Sequence, residues 1–472
     1  MFSGIVEAYG KVIGTLSNWM YSYILIILLV GAGIYFTVKT KGVQFRALKE
    51  AIKVVMEPKD DEKSISSFQA LMVSTASRVG TGNIAGISTA LCIGGAGAMF
   101  WMWLIALLGS ASAFIESTLA QIYKRKAADG SSYGGPAYYI QAVLKKRWLG
   151  VLFAAVLIVT YMGGFNMVAA FNISDSFRRY DFYQPGTTPL VIGLILAVIF
   201  GICIFGGSKR ISKITEVIVP VMGIFYIAVS LFIVITHLNL LPGVIVSIFK
   251  GAFDISAIFG GFAGSAVMQG VKRGLFSNGV GSAPNAAASA GVSHPVKQGL
   301  VQMLSVYIDT IVICSATGFM LLCSGVVPEE GIAGMPYVQE AVAGSLGGFG
   351  SVFITVALFL FAFTTLIGNF YYAEMGLRYI CDKTPKKMIM NIFRIAAALI
   401  VCMGATMDFS VVWDTADVLM GLMALINLPV IVLLAKPALR CMQDYFKQKK
   451  SGKNPVFKAK DINLETKTDF WN

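Results

Sequence analysis

Ala76-Ser77-Arg78-Val79-Gly80-Thr81-Gly82-Asn83 interrupts an apolar run that extends from residue 68 to residue 94. The interruption begins about a dozen residues in from the basic end of the run. At roughly 1.5 Å per residue, that is close to the middle of a bilayer about 30 Å thick. Hydrocarbon offers no hydrogen bonds to a broken backbone, so such a stretch must face protein or a water-filled cavity. The remainder of the chain decides whether the run is a membrane span at all.

The chain has 472 residues, of which 56% are hydrophobic and only 13% charged. A soluble chain of this length would carry roughly a quarter charged residues to cover its surface. The 49 glycines suit helices that approach closely or break. Apolar runs long enough to span number eleven, near 20–38, 68–94, 98–122, 149–171, 189–206, 216–236, 243–271, 299–323, 349–375, 391–408 and 415–435. In lipid such runs must be helices, so the fold class is an all-α polytopic membrane protein. The first apolar run, Tyr21–Thr37, has neither a basic leader nor a small-residue cleavage pattern after it, and is expected to stay as a span.

The net charge of +13 could suggest a nucleic-acid partner, but the basic residues lie between apolar runs rather than in one domain. No nucleic acid is expected. Lys39, Lys41, Arg46 and Lys49 stand on one side, and alternate loops repeat the pattern: Lys124–Lys126 with Lys145–Arg147, Lys209–Lys213, Lys272–Lys297, Lys383–Arg394, and the segment from Lys436 onward. The intervening loop 324–348 carries only Glu329, Glu330 and Glu340 as charges. The basic side is cytoplasmic by the positive-inside rule, which puts the N-terminus outside and the C-terminus inside. The seven cysteines form no CxxC pair and read as small hydrophobes; two histidines, His237 and His294, are too few for a histidine-rich metal centre.

Setting the first span aside leaves ten. Split five and five, the halves start in opposite directions, the inverted-repeat plan of many secondary transporters. The expected organisation is an N-terminal helix and cytoplasmic segment (1–66), a first repeat (67–236), a second repeat (237–436) and a cytoplasmic tail (437–472). In the first helix of the second half, Phe259-Gly260-Gly261-Phe262-Ala263-Gly264-Ser265 is the counterpart of the first interruption. An unwound turn frees amides that suit a carboxylate and carbonyls that suit Na⁺. Small residues also serve plain helix packing, which one glycine-rich span by itself would suggest. Two breaks at equivalent positions favour a site. Thr364-Thr365, near mid-depth in 349–375, could offer hydroxyls to an ion or bond their own preceding turn.

Arg78-Val-Gly-Thr-Gly-Asn-Ile-Ala-Gly86, Phe100-Trp-Met-Trp103, Gly134-Gly-Pro-Ala-Tyr-Tyr139, Gly206-Gly-Ser-Lys-Arg-Ile211 and Arg273-Gly-Leu-Phe-Ser-Asn278, in this order, resemble the alanine/glycine:cation symporter family. The resemblance implies two inverted five-helix repeats plus one extra helix, and sodium-coupled uptake of alanine and glycine by a monomer in the cell membrane. One departure is visible. The family reads Ser-Asn-Glu-Ala-Gly before Gly-Ser-Ala-Pro, whereas here Ser277-Asn278 runs directly into Gly279-Val280-Gly281-Ser282-Ala283-Pro284, which is expected to lie in a cytoplasmic loop. Carried over position by position, the resemblance implies that Ser77, Gly80, Thr81 and Gly82 hold the substrate carboxylate. Arg78, Gly261, Phe262 and Ser265 then face the amine and side chain. Carbonyls of Ala76, Val79 and Phe361, with Asn83 and the hydroxyls of Thr364 and Thr365, surround Na⁺.

Three acidic residues, Glu116, Asp309 and Glu374, stand near or inside spans, where each needs a partner or a cavity. Arg78 either pairs with Asp309 beside the substrate or turns to a cavity while Asp309 bonds a neighbouring hydroxyl. Trp101 and Trp103 read as an aromatic belt at a membrane face. A channel would show a repeated filter segment or rings of like charge, and an intramembrane enzyme a motif such as HExxH or a histidine base at membrane depth. The sequence displays neither, so a transporter and not an enzyme is expected.

Overall fold

The computed structural model describes residues 2–58, 63–254, 265–382, 385–464 and 466–471. Among these, eight helices are long and apolar enough to cross a membrane: Glu7–Lys39, Gly97–Ile122, Arg147–Asp175, Arg210–Thr236, Pro295–Cys323, Gly348–Ile380, Lys387–Gly404 and Phe409–Leu433. Gly82–Gly94, Thr188–Ile204 and Leu241–Ala252 are shorter apolar helices. The distribution of side chains suits lipid rather than water. Ile27, Val198, Ile224 and Leu399 are exposed, while Glu116, Asn166, Gln302 and Asn369 are fully buried. Polar groups turned inward can bond one another, which hydrocarbon would not permit outside.

Helix Gly97–Ile122 is the axis on which the rest is hung, and its sequence explains why. Gly109-Ser110-Ala111-Ser112-Ala113 presents almost no side-chain bulk at its centre, so other backbones come close. One segment runs alongside it in the same direction for its whole length. Gly270 packs on Trp101 and Met102, Gly274 on Ile105, and the Asn278 side chain lies over Gly109 while its Nδ2 donates to the Ile105 carbonyl at 3.3 Å. Further down, the Gly281 amide donates to Glu116 at 3.1 Å, and Gln121 donates to the Ala287 and Ala290 carbonyls at 2.5 and 2.9 Å.

That segment is itself discontinuous. Ala266–Asn278 and Ala283–Ala288 are helical, and between them Gly279 (φ +57°) and Gly281 (φ +78°) take the left-handed conformation that glycine adopts without penalty. The expected span 243–271 is therefore corrected: Leu241–Ala252 and Ala266–Asn278 are separate helices. The unwinding seen lies at Asn278–Ser282, level with the middle of Gly97–Ile122, and not in a loop beyond the membrane. Residues 255–264, which include Gly261 and Phe262, lie outside the described residues.

The first interrupted helix starts at a capping box, with Ser66 Oγ accepting from the Gln69 amide at 3.0 Å and Gln69 Oε1 accepting from the Ser66 amide at 3.1 Å. Ser67–Arg78 then ends where Val79 becomes extended, and Gly82–Gly94 continues beyond. At their basic ends the two broken helices are tied: Ile65 and Ala290 form a parallel bridge, with Gly291 N donating to the Ile65 carbonyl at 3.0 Å. The tail packs over this junction, where Trp471 Nε1 donates to the Gln121 carbonyl at 2.8 Å and Phe457 stacks edge-on against His294.

A side chain at Gly109 would collide with Asn278. Gly109→Val is expected to destabilise by about 1–3 kcal/mol, the usual range for overpacking. Gly31→Ala, on a helical face with open space around it, should instead hold or raise stability. Thermal unfolding in detergent checks both.

Candidate functional site

The first break is held open by its own asparagine. Val79 leaves the helix with ψ 94°, and the Gly80 amide donates to Asn83 Oδ1 at 2.9 Å, a turn-closing bond that short polar side chains make readily. The Asn83 Nδ2 points the other way, to Asp309 Oδ1 at 2.7 Å and to the Asp309 carbonyl at 3.2 Å. Asn83 thus bridges the break to helix Pro295–Cys323.

Around Thr365 several of the expected ion ligands do come together. Its Oγ1 lies 2.9 Å from the Phe361 carbonyl, 3.1 Å from that of Ala76 and 3.4 Å from that of Val79. A hydroxyl has one proton and cannot satisfy three carbonyls. Bonding to its own preceding turn accounts for Phe361 alone; Ala76 and Val79 belong to the other helix, freed by its break. Thr364 Oγ1 donates to the same Phe361 carbonyl at 2.9 Å. Surplus oxygen lone pairs in a buried pocket are what a hard monovalent cation requires. Gly80 is required here too, since a Cβ would fall on Thr365 Oγ1.

Arg78 and Asp309 are not paired. Arg78 Nη2 donates to the Asn278 carbonyl at 2.8 Å and Nη1 to that of Gln302 at 3.5 Å. Asp309 accepts from Asn83 and from Ser277 Oγ, which also touches Thr310 Oγ1. The physical reason is the second break. It exposes the Asn278 carbonyl at the level of the first, and the guanidinium caps it, while the carboxylate has two closer donors. Ser265 caps the start of Ala266–Asn278 by accepting from the Met268 amide at 3.1 Å. It sits roughly 20 Å along that helix from the break, at 1.5 Å per residue.

The remaining walls are aromatic and amide. Phe276 lies against Gly82 at 3.2 Å from an ideal Cβ, with Phe165 at 4.3 Å and Trp413 at 6.0 Å between ring centroids. Ser77 Oγ donates to Asn369 Oδ1 at 2.6 Å, and Asn369 Nδ2 donates to Asn166 Oδ1 at 3.1 Å. Thr81 is buried at the head of the continuing half-helix. Phe276, Ser277, Asn278 and Asn369 lie at the candidate site and were not among the expected site residues. The spacing Asn278-Gly279-Val280-Gly281-Ser282, a polar helix end followed by two glycines, was the signal available. Because Asn83 and Asp309 share a buried bond, Asn83→Ala and Asp309→Ala are expected to be non-additive by about 1 kcal/mol. A double-mutant cycle by denaturant unfolding in detergent measures it.

Residues 6–459 match the Sodium:alanine symporter family. The chain is 45% identical over 455 residues (96% of this chain, 93% of the other) to a Bacillus subtilis protein described as the probable sodium/glutamine symporter GlnT. It is 37% identical over 436 residues (90% and 94%) to the sodium/alanine symporter AgcS of Methanococcus maripaludis. Among solved structures, MhsT in complex with L-phenylalanine superposes with a TM-score of 0.57 at 13% identity, covering 87% of this chain and 94% of that one. The two chains share a fold. The relatives are transporters and not enzymes, and the chain is a multi-pass membrane protein that belongs to the sodium:alanine symporter family.

Proposed function

We propose that this protein takes up small neutral amino acids, alanine and glycine, together with Na⁺ across the cell membrane by alternating access, with the C-terminus cytoplasmic. The observation that carries the proposal is the cluster of Ala76, Val79 and Phe361 carbonyls around Thr365, placed at the first helix break. Na⁺ is a co-substrate there, bound by backbone oxygens that only a broken helix can release.

The amino acid fits between the breaks. Amides at the head of the half-helix Gly82–Gly94 have no partner within their own helix and favour a carboxylate. Carbonyls at Asn278 and beyond suit the ammonium group. The side chain would then face Phe276, which already touches Gly82, so little room remains for a large substituent. Because the Ile65–Ala290 bridge joins the inner halves of both broken helices, they can move together when the site opens to the cytoplasm.

A second reading is glutamine, favoured by the 45% identity to the probable sodium/glutamine symporter. Uptake of labelled alanine and labelled glutamine into proteoliposomes, with and without a Na⁺ gradient, separates the two. Alanine, glycine and serine are expected to compete, and leucine and phenylalanine not. Glutamine uptake as fast as alanine uptake would overturn the size limit set by Phe276.

Removing both hydroxyls tests the ion site. Thr364→Val/Thr365→Val should raise the Na⁺ concentration for half-maximal uptake about tenfold, equivalent to roughly 1.4 kcal/mol. An unchanged sodium dependence in the folded variant would place the ion elsewhere.

A further inference from the structure

The residues after helix Ala435–Lys450 form a strap over the basic face of the molecule, where the inner ends of both broken helices meet. The strap is first fixed to that helix, with the Val456 amide donating to Gln448 Oε1 at 3.0 Å and Gln448 Nε2 to the Val456 carbonyl at 2.9 Å. It then meets the linker beyond the second break. Ser293 Oγ donates to the Pro455 carbonyl at 3.0 Å, and the Phe457 amide donates to the Ser293 carbonyl at 2.9 Å. Its far end reaches the inner end of the axial helix Gly97–Ile122. There the Lys126 amide donates to Asp469 Oδ2 at 3.1 Å, and Trp471 Nε1 donates to the Gln121 carbonyl at 2.8 Å.

The strap holds by a few anchors. Phe457 and Trp471 are buried, with ring centroids 5.5 Å apart, whereas Lys453, Lys458, Lys460 and Lys467 are exposed. Lys124 joins the strap to the helix junction: its ammonium group lies 4.8 Å from the Trp471 ring and donates to the Ala290 carbonyl at 3.1 Å. Ala290 is the residue bridged to Ile65. Ala286, Ala287, Ala288 and Ala290 are themselves fully buried, so the inner half of the second broken helix is sealed in this arrangement.

Opening towards the cytoplasm requires the inner half-helices to part from the axial helix. The strap is bonded on both sides of that seam, to Ser293 on one and to Gln121 and Lys126 on the other, so it cannot stay fully docked while the seam opens. We infer that residues 453–471 are a lock on the cytoplasmic exit, and that release of the Trp471 end precedes each inward opening. The Phe457 end can stay in place, because it travels with the linker to which it is bonded. The inference rests on the proposed uptake by alternating access.

The test uses the full chain. Trp471→Ala removes the anchor and none of the candidate site. Amide hydrogen exchange in Ser67–Arg78, followed by mass spectrometry in detergent, should rise about tenfold over the wild type, because local opening sets exchange. No hydrogen bond joins the strap to Ser67–Arg78 among the described residues, so a strap that merely packs on its neighbours would leave exchange there unchanged. In proteoliposomes, Lys126→Cys/Asp469→Cys joined by a disulfide should stop uptake, and reductant should restore it. Either single variant should be indifferent to oxidation. If Trp471→Ala does not fold, the cross-linked variant still decides. Unchanged exchange in Ser67–Arg78, or uptake that continues in the cross-linked variant, would overturn the lock alone. A wild type that takes up neither alanine nor glutamine would overturn the proposed function and this inference with it.

Discussion

A helix that stops halfway through a membrane leaves amides and carbonyls without partners, and hydrocarbon supplies none. Two such stops placed against each other can serve one another and whatever lies between them. Arg78, at the end of one half-helix, caps the carbonyl of Asn278 at the end of the other. Asn83 closes the first break through Gly80 and reaches Asp309, which in turn holds Ser277 beside the second. The Gly281 amide is answered by Glu116 from the axial helix. Removing any one of these would leave a bare polar group at the depth where it costs most. The breaks persist because each is over-determined by the other, and the carbonyls of Ala76, Val79 and Phe361 are left facing Thr365.

Much of this was legible in the sequence, and the part that was not has a physical cause. The first break was read correctly because Gly80-Thr81-Gly82-Asn83 is polar and glycine-rich inside an otherwise apolar run. The second was sought at Phe259–Ser265, where residues 259–264 lie outside the described residues. Among the described residues a discontinuity follows Lys272, Arg273 and Asn278, and a polar stretch with two basic residues reads as a cytoplasmic loop when every lysine and arginine is counted as solvated. Here both cations are buried, with Asp417 between them. The positive-inside rule counts charges and cannot see that a carboxylate from a distant helix has already neutralised them.

The Arg78–Asp309 pair failed for a related reason. Opposite charges at similar depth suggest an ion pair, yet a carbonyl freed by a break is a strong acceptor for a guanidinium, and only the folded chain shows where that carbonyl is. The alternative left open, a neighbouring hydroxyl for Asp309, is the arrangement adopted, with Ser277 as its source.

The buried cations also explain the place of the N-terminal helix. Lys272 Nζ donates to Ser17 Oγ at 2.9 Å, and Tyr21 OH donates to the Asp417 carbonyl at 3.0 Å, both from Glu7–Lys39. Arg273 is stacked over Trp413 at 4.7 Å, and the Trp413 ring meets Phe276 at the wall of the site. Two cations with a single fully buried carboxylate between them would be poorly satisfied without the N-terminal helix, because Lys272 would lose the Ser17 hydroxyl and the Tyr21 ring. The N-terminal helix supplies both groups. Its place is thus set by a polar requirement of the second broken helix, and it reaches the wall of the candidate site through an unbroken series of contacts from Ser17 to Phe276.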